Sequence, residues 1–367
     1  MFQDLVSQFV KEAPPYNFGV GDTCKPFRKG VERVIIMHKN ENPYGTSPKA
    51  AAAMREQAAH SNRYPTMRAD GLREKLAVKH GVDASQIMVT QGGTSALGFI
   101  SEMLIREGDE VIVTTPAYPN YLNLTKKYNG VLVEVPSDEN YVPRFEDVMA
   151  AVTDKTKLIF LANPNNPTGT ICDDDALREF LRRLPGHVVL VVDEAYFDFI
   201  ERPDYDSMIS EVADGVNLIV VRTFSKIYGM AGSRIGYLIS NPEIIHYLEI
   251  TSTGYCCNRM GLAGAEAALD DREFIEMTIS ENKKGRDYLT HAMRELGFDV
   301  WESHTNFIFF DPHIPIKEFA DELYTFGVKI RGDFIRARIS VGTMEENRIA
   351  ARAMEQIVKE YQERPSE

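Results

Sequence analysis

Asp193 follows five aliphatic residues, Val188 to Val192, so its carboxylate stands at the mouth of a buried strand, where an anion without a partner is costly. It requires a cation. A protonated pyridine nitrogen is one, and a carboxylate there keeps such a ring acting as an electron sink; an aspartate that only caps the next helix is the competing reading. Three residues on, Tyr196 can aim its phenol at the same ring and donate to a phenolate oxygen, or serve as a core aromatic with a solvated hydroxyl. Arg222-Thr223-Phe224-Ser225-Lys226 follows the next strand candidate. A lysine enclosed there loses hydration and has cations nearby, which favours Schiff-base chemistry, although a lone lysine after a strand is usually a surface residue. Ser225 and Arg234 supply a hydroxyl and a guanidinium for a phosphate. Gly92-Gly93-Thr94 opens a helix-like run whose N–H groups and dipole, at Gly93 and Thr94, can receive the same dianion. Tyr118 offers an aromatic face on which a ring can stack, or else a plain core tyrosine.

These positions share one property: each comes just after a short β-rich run. The runs are Ile87 to Val89, Val111 to Val113, Val131 to Val133, Leu158 to Leu161, Val188 to Val192 and Leu218 to Val221. Each is followed by Gly, Pro or Asn punctuation and then a helix-like stretch, which predicts an α/β fold with a largely parallel sheet covered by helices. In such a sheet ligands bind at the carboxyl ends of the strands, so one site drawn from five segments is implied. After about Ile250 the texture changes to long amphipathic helices, then a strand at Asn306 to Phe310, a helix at Ile316 to Phe326, and strands at Val328 to Ile330 and Ala337 to Val341. This predicts a separate α+β lobe. The first 40 or so residues hold a strand candidate at Val34 to Met37 and are too few to fold alone. The expected division is therefore an N-terminal arm with part of the small domain over 1–44, a large domain over 45–250 and a small domain over 251–367.

Bulk properties exclude several classes. Forty-one basic residues against 54 acidic ones give a net charge of −13, a field that repels polyphosphate backbones, so nucleic acid is not an expected partner. No run of about 18 apolar residues is present, and membrane insertion is not expected. Met1 to Lys11 lacks the apolar core and cleavage site of a secretory signal, which makes the cytoplasm the expected location. Cys24, Cys172, Cys256 and Cys257 form no CxxC pair, and the adjacent two could close only into a strained small ring, so reduced thiols are expected. The histidines show neither HExxH nor a Cys/His ladder, and no metal is expected.

Asn165-Asn166-Pro167-Thr168-Gly169, Asp193-Glu194-Ala195-Tyr196, Arg222 to Lys226 and Arg338-Ile339-Ser340-Val341-Gly342-Thr343 together resemble fold-type I aminotransferases dependent on pyridoxal 5'-phosphate (PLP). Within that group His38-Lys39-Asn40-Glu41-Asn42-Pro43, Asn62-Arg63-Tyr64-Pro65 and Asp193 to Phe199 are most similar to histidinol-phosphate aminotransferases. The resemblance runs from about Tyr16 to the C-terminus. It implies a large domain with a mostly parallel seven-stranded sheet and a smaller α+β domain. It implies that Lys226 carries PLP as a Schiff base and shuttles the substrate proton, that Asp193 partners the pyridine nitrogen, and that Tyr196 and Asn166 hold O3′, with Asn166 also at the substrate. Gly93, Thr94, Ser225 and Arg234 match the phosphate cup. Tyr64 matches a tyrosine reaching the phosphate of the neighbouring subunit, which implies a homodimer.

The same resemblance places Arg338 on the substrate α-carboxylate, for which a bidentate guanidinium is the natural partner. Tyr16 and Arg331 match positions at the substrate's distal end, with Arg331 placed to meet a phosphate. Histidinol phosphate with 2-oxoglutarate is the leading substrate pair. A related aromatic or specialised amino-acid aminotransferase and a phosphothreonine-type decarboxylase resemble the same family, whereas a non-enzymatic PLP-sensing regulator is disfavoured by the complete catalytic set. The sequence departs from the family pattern twice. Only Gly332 to Ala337 separate Arg331 from Arg338, and Gly254-Tyr255-Cys256-Cys257-Asn258 stands where a Pro-aromatic-Asn pattern is usual.

Overall fold

The structure, a computed structural model, describes residues 2–6, 8–12 and 27–364. Twelve strands occur among them: β1 (Ile35–Ile36), β2 (Ile87–Thr90), β3 (Glu110–Thr115), β4 (Val131–Pro136), β5 (Thr156–Ala162), β6 (Val189–Asp193), β7 (Leu218–Thr223), β8 (Gly236–Ser240), β9 (Asp299–Val300), β10 (Phe307–Asp311), β11 (Val328–Lys329) and β12 (Ala337–Ser340). Seven of them form one sheet in the order β2-β8-β7-β6-β5-β3-β4. Only β8 runs antiparallel to its neighbours, β2 and β7. All the other pairings in this sheet are parallel.

The central strands are aliphatic through their middles, as in Val189 to Val192 of β6 and Leu218 to Val221 of β7, because both faces are covered there. Alternate residues divide between two cores: Leu190 and Val192 of β6 with Leu218 and Val220 of β7 face one, whereas Val189, Val191, Ile219 and Val221 face the other. This two-residue alternation fixes register, since a slip by one residue would exchange every side chain between the cores. It also fixes which residues emerge at the strand ends.

A third core, which includes Met37, Phe298, Phe310, Phe319, Ile339 and Met354, builds the second lobe. Its three-stranded sheet has the order β12-β10-β9, and β1 pairs in parallel with β11 beside it. The segment Ile35–Ile36 is thereby tied to the second lobe. The long helix Met344–Gln362 starts from a capping box in which Thr343 and Glu346 satisfy each other's backbone N–H groups. The helix Arg259–Ala268 departs from the division expected at residue 250: its Leu262, Ala265 and Ala268 belong to the first core. Small residues spaced along one face let that helix pack closely against Pro48–Ala58.

β6 and β7 are locked at their carboxyl ends by a buried ion pair. Arg222 Nη2 and Nε lie 2.7 and 2.8 Å from Glu194 Oε2, and both side chains are 5% exposed or less. Ser207 Oγ donates to the same carboxylate oxygen at 2.6 Å, and the Met208 N–H donates to Oε1 at 2.8 Å. A buried pair of this kind is costly to break singly because the surviving charge has no water. Glu194→Ala is expected to lower unfolding free energy by about 3–5 kcal/mol, read as a shift of the urea midpoint; a shift worth under about 1 kcal/mol would show that the pair does not hold these strand ends together.

Candidate active site

A cleft of about 860 Å³ opens where the carboxyl ends of β2, β3, β5, β6 and β7 meet the second lobe. Every site residue expected from the sequence lines it except two: Tyr64 is not on its wall, and Tyr16 lies outside the described residues.

At one end is an anion cradle. Gly92, with φ +86°, turns the chain into the helix Gly93–Leu104, whose first N–H groups receive no side-chain cap. Uncapped donors at a helix N-terminus attract negative charge. Arg234 adopts φ +55°, donates from Nη1 to the Ala231 carbonyl at 2.9 Å and reaches Ser225 Oγ at 3.5 Å. Two glycines permit this packing: a Cβ on Gly92 would lie 2.7 Å from Arg234 Nη2, and one on Gly236 would lie 2.7 Å from both Gly92 C and Gly93 N.

In the middle lies Asp193, at the last position of β6. Its Oδ2 accepts from the Tyr121 hydroxyl at 2.8 Å and its Oδ1 from the Ala195 N–H at 3.1 Å. Burial raises its pKa, and these two hydrogen bonds oppose the rise. A cation brought against this carboxylate would relieve the same desolvation. Tyr118 stands at the start of the helix Pro119–Lys127, edge-on to Tyr121 with centroids 5.5 Å apart. Lys226 Nζ donates to the carbonyls of Lys39 and Asn40 at 3.3 and 3.2 Å and lies 5.3 Å from the centre of the Tyr196 ring. The Tyr196 oxygen accepts from Asn40 Nδ2 at 2.9 Å, so its own proton remains available for a second partner.

The far end is cationic. Arg338 comes from β12, is 4% exposed, and donates to Asn166 Oδ1 at 2.5 Å and to the His38 carbonyl at 2.9 Å. Its Nε has no hydrogen-bond partner, and among the described residues no carboxylate pairs with it. Burial pulls this guanidinium down to about 10, with the nearby Arg331 adding to the fall and Tyr196 opposing it. Because Asn166 spends its Oδ1 on Arg338, its amide nitrogen is turned to other acceptors. Arg331 pairs with Asp333 through Nε–Oδ1 at 2.6 Å and Nη2–Oδ2 at 2.5 Å. Its backbone forms a bridge with that of Arg338, closing the short Gly332–Ala337 loop. Phe334 of that loop lies 4.7 Å from the Arg331 guanidinium and 5.3 Å from that of Arg338.

Three contributors were not singled out from sequence. Tyr121, which holds Asp193, lies three residues after Tyr118 on the same helical face, a spacing that was visible. Asn40 has φ +55° and joins Tyr196 to Ser340, whose Oγ donates to Asn40 Oδ1 at 2.9 Å; it sits inside the His38 to Pro43 motif. Asp333 carried no signal, since only the turn after Arg331 brings it back onto that side chain. Tyr64 is 80% exposed, with its ring 5.1 Å from that of Tyr255.

Residues 32–354 match the family model described as aminotransferase class I and II. The chain belongs to that family. It is 34% identical over 363 residues to a histidinol-phosphate aminotransferase of Brevibacillus brevis, an overlap covering 96% of this chain and 98% of that protein. Among solved structures, the histidinol-phosphate aminotransferase of Sinorhizobium meliloti in complex with pyridoxal-5'-phosphate aligns with a TM-score of 0.85 and 27% identity, over 90% of this chain and 92% of that one. Aspartate aminotransferase of Thermus thermophilus with maleate aligns with a TM-score of 0.80 and 25% identity, over 96% and 99%. The protein is thus a PLP-dependent aminotransferase of fold type I that stands close to the histidinol-phosphate aminotransferases. In this aminotransferase Arg338→Ala removes the buried cation and strands Asn166 Oδ1 and the His38 carbonyl. Binding of a dicarboxylate such as maleate is expected to weaken by about 2–5 kcal/mol, measured by titration of the holoenzyme; undiminished affinity would remove Arg338 from the anion site.

Proposed function

We propose that this aminotransferase moves an amino group between histidinol phosphate and 2-oxoglutarate, with PLP joined to Lys226. The observation that carries the reading is Arg338, a buried guanidinium that no carboxylate among the described residues pairs with, facing the same cleft as the Lys226 amine and the Asp193 carboxylate. The residues present fit PLP by their chemistry: the Gly92 to Thr94 turn with Ser225 and Arg234 suits a phosphate dianion, and the desolvated Asp193 suits a protonated ring nitrogen. When bound, PLP supplies the electron sink that stabilises negative charge at the substrate Cα. Asp193 holds a compensating charge against the ring throughout, and Tyr121 fixes the carboxylate's rotamer. Tyr196, its oxygen already taken by Asn40, would donate its hydroxyl proton to the cofactor's phenolate oxygen, and the Asn166 amide would donate to it as well. Lys226 Nζ is the base for the Cα proton, as the carbonyls of Lys39 and Asn40 keep it directed into the cleft.

Histidinol phosphate is a phosphate monoester without a carboxylate. The arginine pair must therefore receive a phosphate in one half-reaction and a carboxylate of glutamate or 2-oxoglutarate in the other. One observation favours a second reading: Asp333 already neutralises Arg331, which suits a donor with no distal anion, such as an aromatic amino acid. Tyr64 supports a homodimer. It is absent from its own chain's cleft, and Tyr255, whose ring lies against it, and Met67, beside Gly254, are exposed apolar residues next to it, the kind of surface that marks an interface. We place Tyr64 across that interface, at the phosphate of the other subunit, and the protein in the cytoplasm.

Purified holoenzyme offered histidinol phosphate, phenylalanine, tyrosine and phosphothreonine, each with 2-oxoglutarate, separates these readings. The expected result is glutamate formation with histidinol phosphate at a kcat/KM at least about tenfold above either aromatic amino acid, a difference of ~1.4 kcal/mol in transition-state binding, and no CO₂ from phosphothreonine. Preference for an aromatic donor would select the second reading, and CO₂ release would reject transamination of that substrate.

A further inference from the structure

Cys256 and Cys257 lie outside the chemistry described above. They occupy the turn between the helices Pro242–Thr251 and Arg259–Ala268, with Sγ atoms 3.7 Å apart. Cys256 is half-buried and Cys257 buried, and neither is in a disulfide. The hydrogen bond between the thiols brings that of Cys256 down to about 7 and drives that of Cys257 up. A thiol so poised is a substantial fraction thiolate near neutrality, and the thiolate is the attacking form. Cys172, by contrast, is buried and pushed up to about 12 by that burial, which makes it an inert internal control.

Two hydrogen bonds tie this turn to both arms of the anion cradle. The Cys256 carbonyl accepts from the side-chain amide of Gln91, the residue before Gly92. Asn258 caps the helix Arg259–Ala268 through Oδ1 and donates from Nδ2 to the Ser233 carbonyl at 2.8 Å, one residue before Arg234. Any rotation of the 256–257 peptide therefore pulls on the residues that shape the cradle.

We propose that Cys256 and Cys257 form a reversible modification site for low-molecular-weight disulfides, and that closing their ring loosens the cradle; the second half rests on the phosphate reading above. The Cys256 thiolate attacks one sulfur of a disulfide RSSR and expels RS⁻. The Cys257 thiol then loses its proton to solvent, and its sulfur attacks that of Cys256 in the mixed disulfide, expelling the second RS⁻. Two protein thiols are oxidised and one RSSR is reduced to two RSH. Neighbouring Cα atoms lie about 3.8 Å apart across a trans peptide, closer than the roughly 4.4–6.8 Å usual for a disulfide. Closure must twist the peptide whose carbonyl Gln91 holds. Strain of this origin also makes the bond easily reduced again, as labile regulatory disulfides are.

The test uses holoenzyme treated with oxidised glutathione, then alkylated and digested with trypsin. The peptide Ile235–Arg259 contains both thiols and no other cysteine. It is expected to be lighter by two hydrogens and free of glutathione, while PLP release speeds up by about three- to tenfold, as for one hydrogen bond lost to the cradle. Dithiothreitol should reverse both changes. Cys256→Ser should release PLP at the untreated wild-type rate with or without glutathione. Thiols that stay free overturn the modification site, and a glutathione adduct persisting on this peptide overturns its closure by Cys257; a closed ring with unchanged PLP release overturns its coupling to the cradle. Failure to bind PLP at all would count against the phosphate reading, and the peptide mass would still decide the thiol chemistry.

Discussion

A carboxylate at the end of a strand buried on both faces cannot be hydrated from beneath, and at Asp193 that condition organises the site. The two-residue alternation of β6 sends Val189 and Val191 to one core and Leu190 and Val192 to the other, so the chain emerges into the cleft at Asp193 and nowhere earlier. Tyr121 and the Ala195 N–H fill two acceptor positions, yet both are neutral donors, and burial still raises the carboxyl pKa. The unmet demand is for a positive charge. A protonated heterocycle would meet it, and the neighbouring Glu194–Arg222 pair, satisfied internally, cannot.

The opposite end of the cleft repeats the same logic with the sign reversed. Arg338 is buried against Phe307 and is held by an amide oxygen and a backbone carbonyl, neither of which carries a charge. Among the described residues neither Asp193 nor Arg338 is in an ion pair, although the nearby Lys226 charge favours the Asp193 carboxylate, and a cofactor bearing a cation with a substrate bearing an anion would supply a partner for each. The carboxylate of Asp333 is spent on Arg331 instead, which leaves Arg338 as the stronger anion receptor of the two. Electrostatic preorganisation of this kind is effective because the charges are fixed before ligand arrives.

Much of this was legible in the sequence. The six aliphatic runs became β2 to β7, and the polar residues after them lie together in one cleft, because parallel strands necessarily bring their carboxyl ends to one edge. β8, Gly236-Tyr237-Leu238-Ile239-Ser240, is a further strand beyond those six runs; it begins with a glycine just after the Arg234 turn, which weakens its local strand pattern. Tyr121 was obscured by Tyr118, its neighbour on the helix face. Asn40 depends on contacts with the distant Tyr196 and Ser340 and Asp333 on the turn that folds it back onto Arg331 as a short loop closes, and the residue types alone encode neither. The helix Arg259–Ala268 joined the first core because small residues along it permit close approach to Pro48–Ala58, a tertiary fact that a change of texture near residue 250 does not reveal.

Lys226 lines the same cleft as Asp193 and Arg338. Reducing the holoenzyme with sodium borohydride makes any imine link to PLP permanent, and peptide mapping then locates the pyridoxyl group. Its expected position is Lys226 Nζ alone. A label on another lysine, or a cofactor that washes away unreduced, would contradict the placement of the chemistry in this cleft.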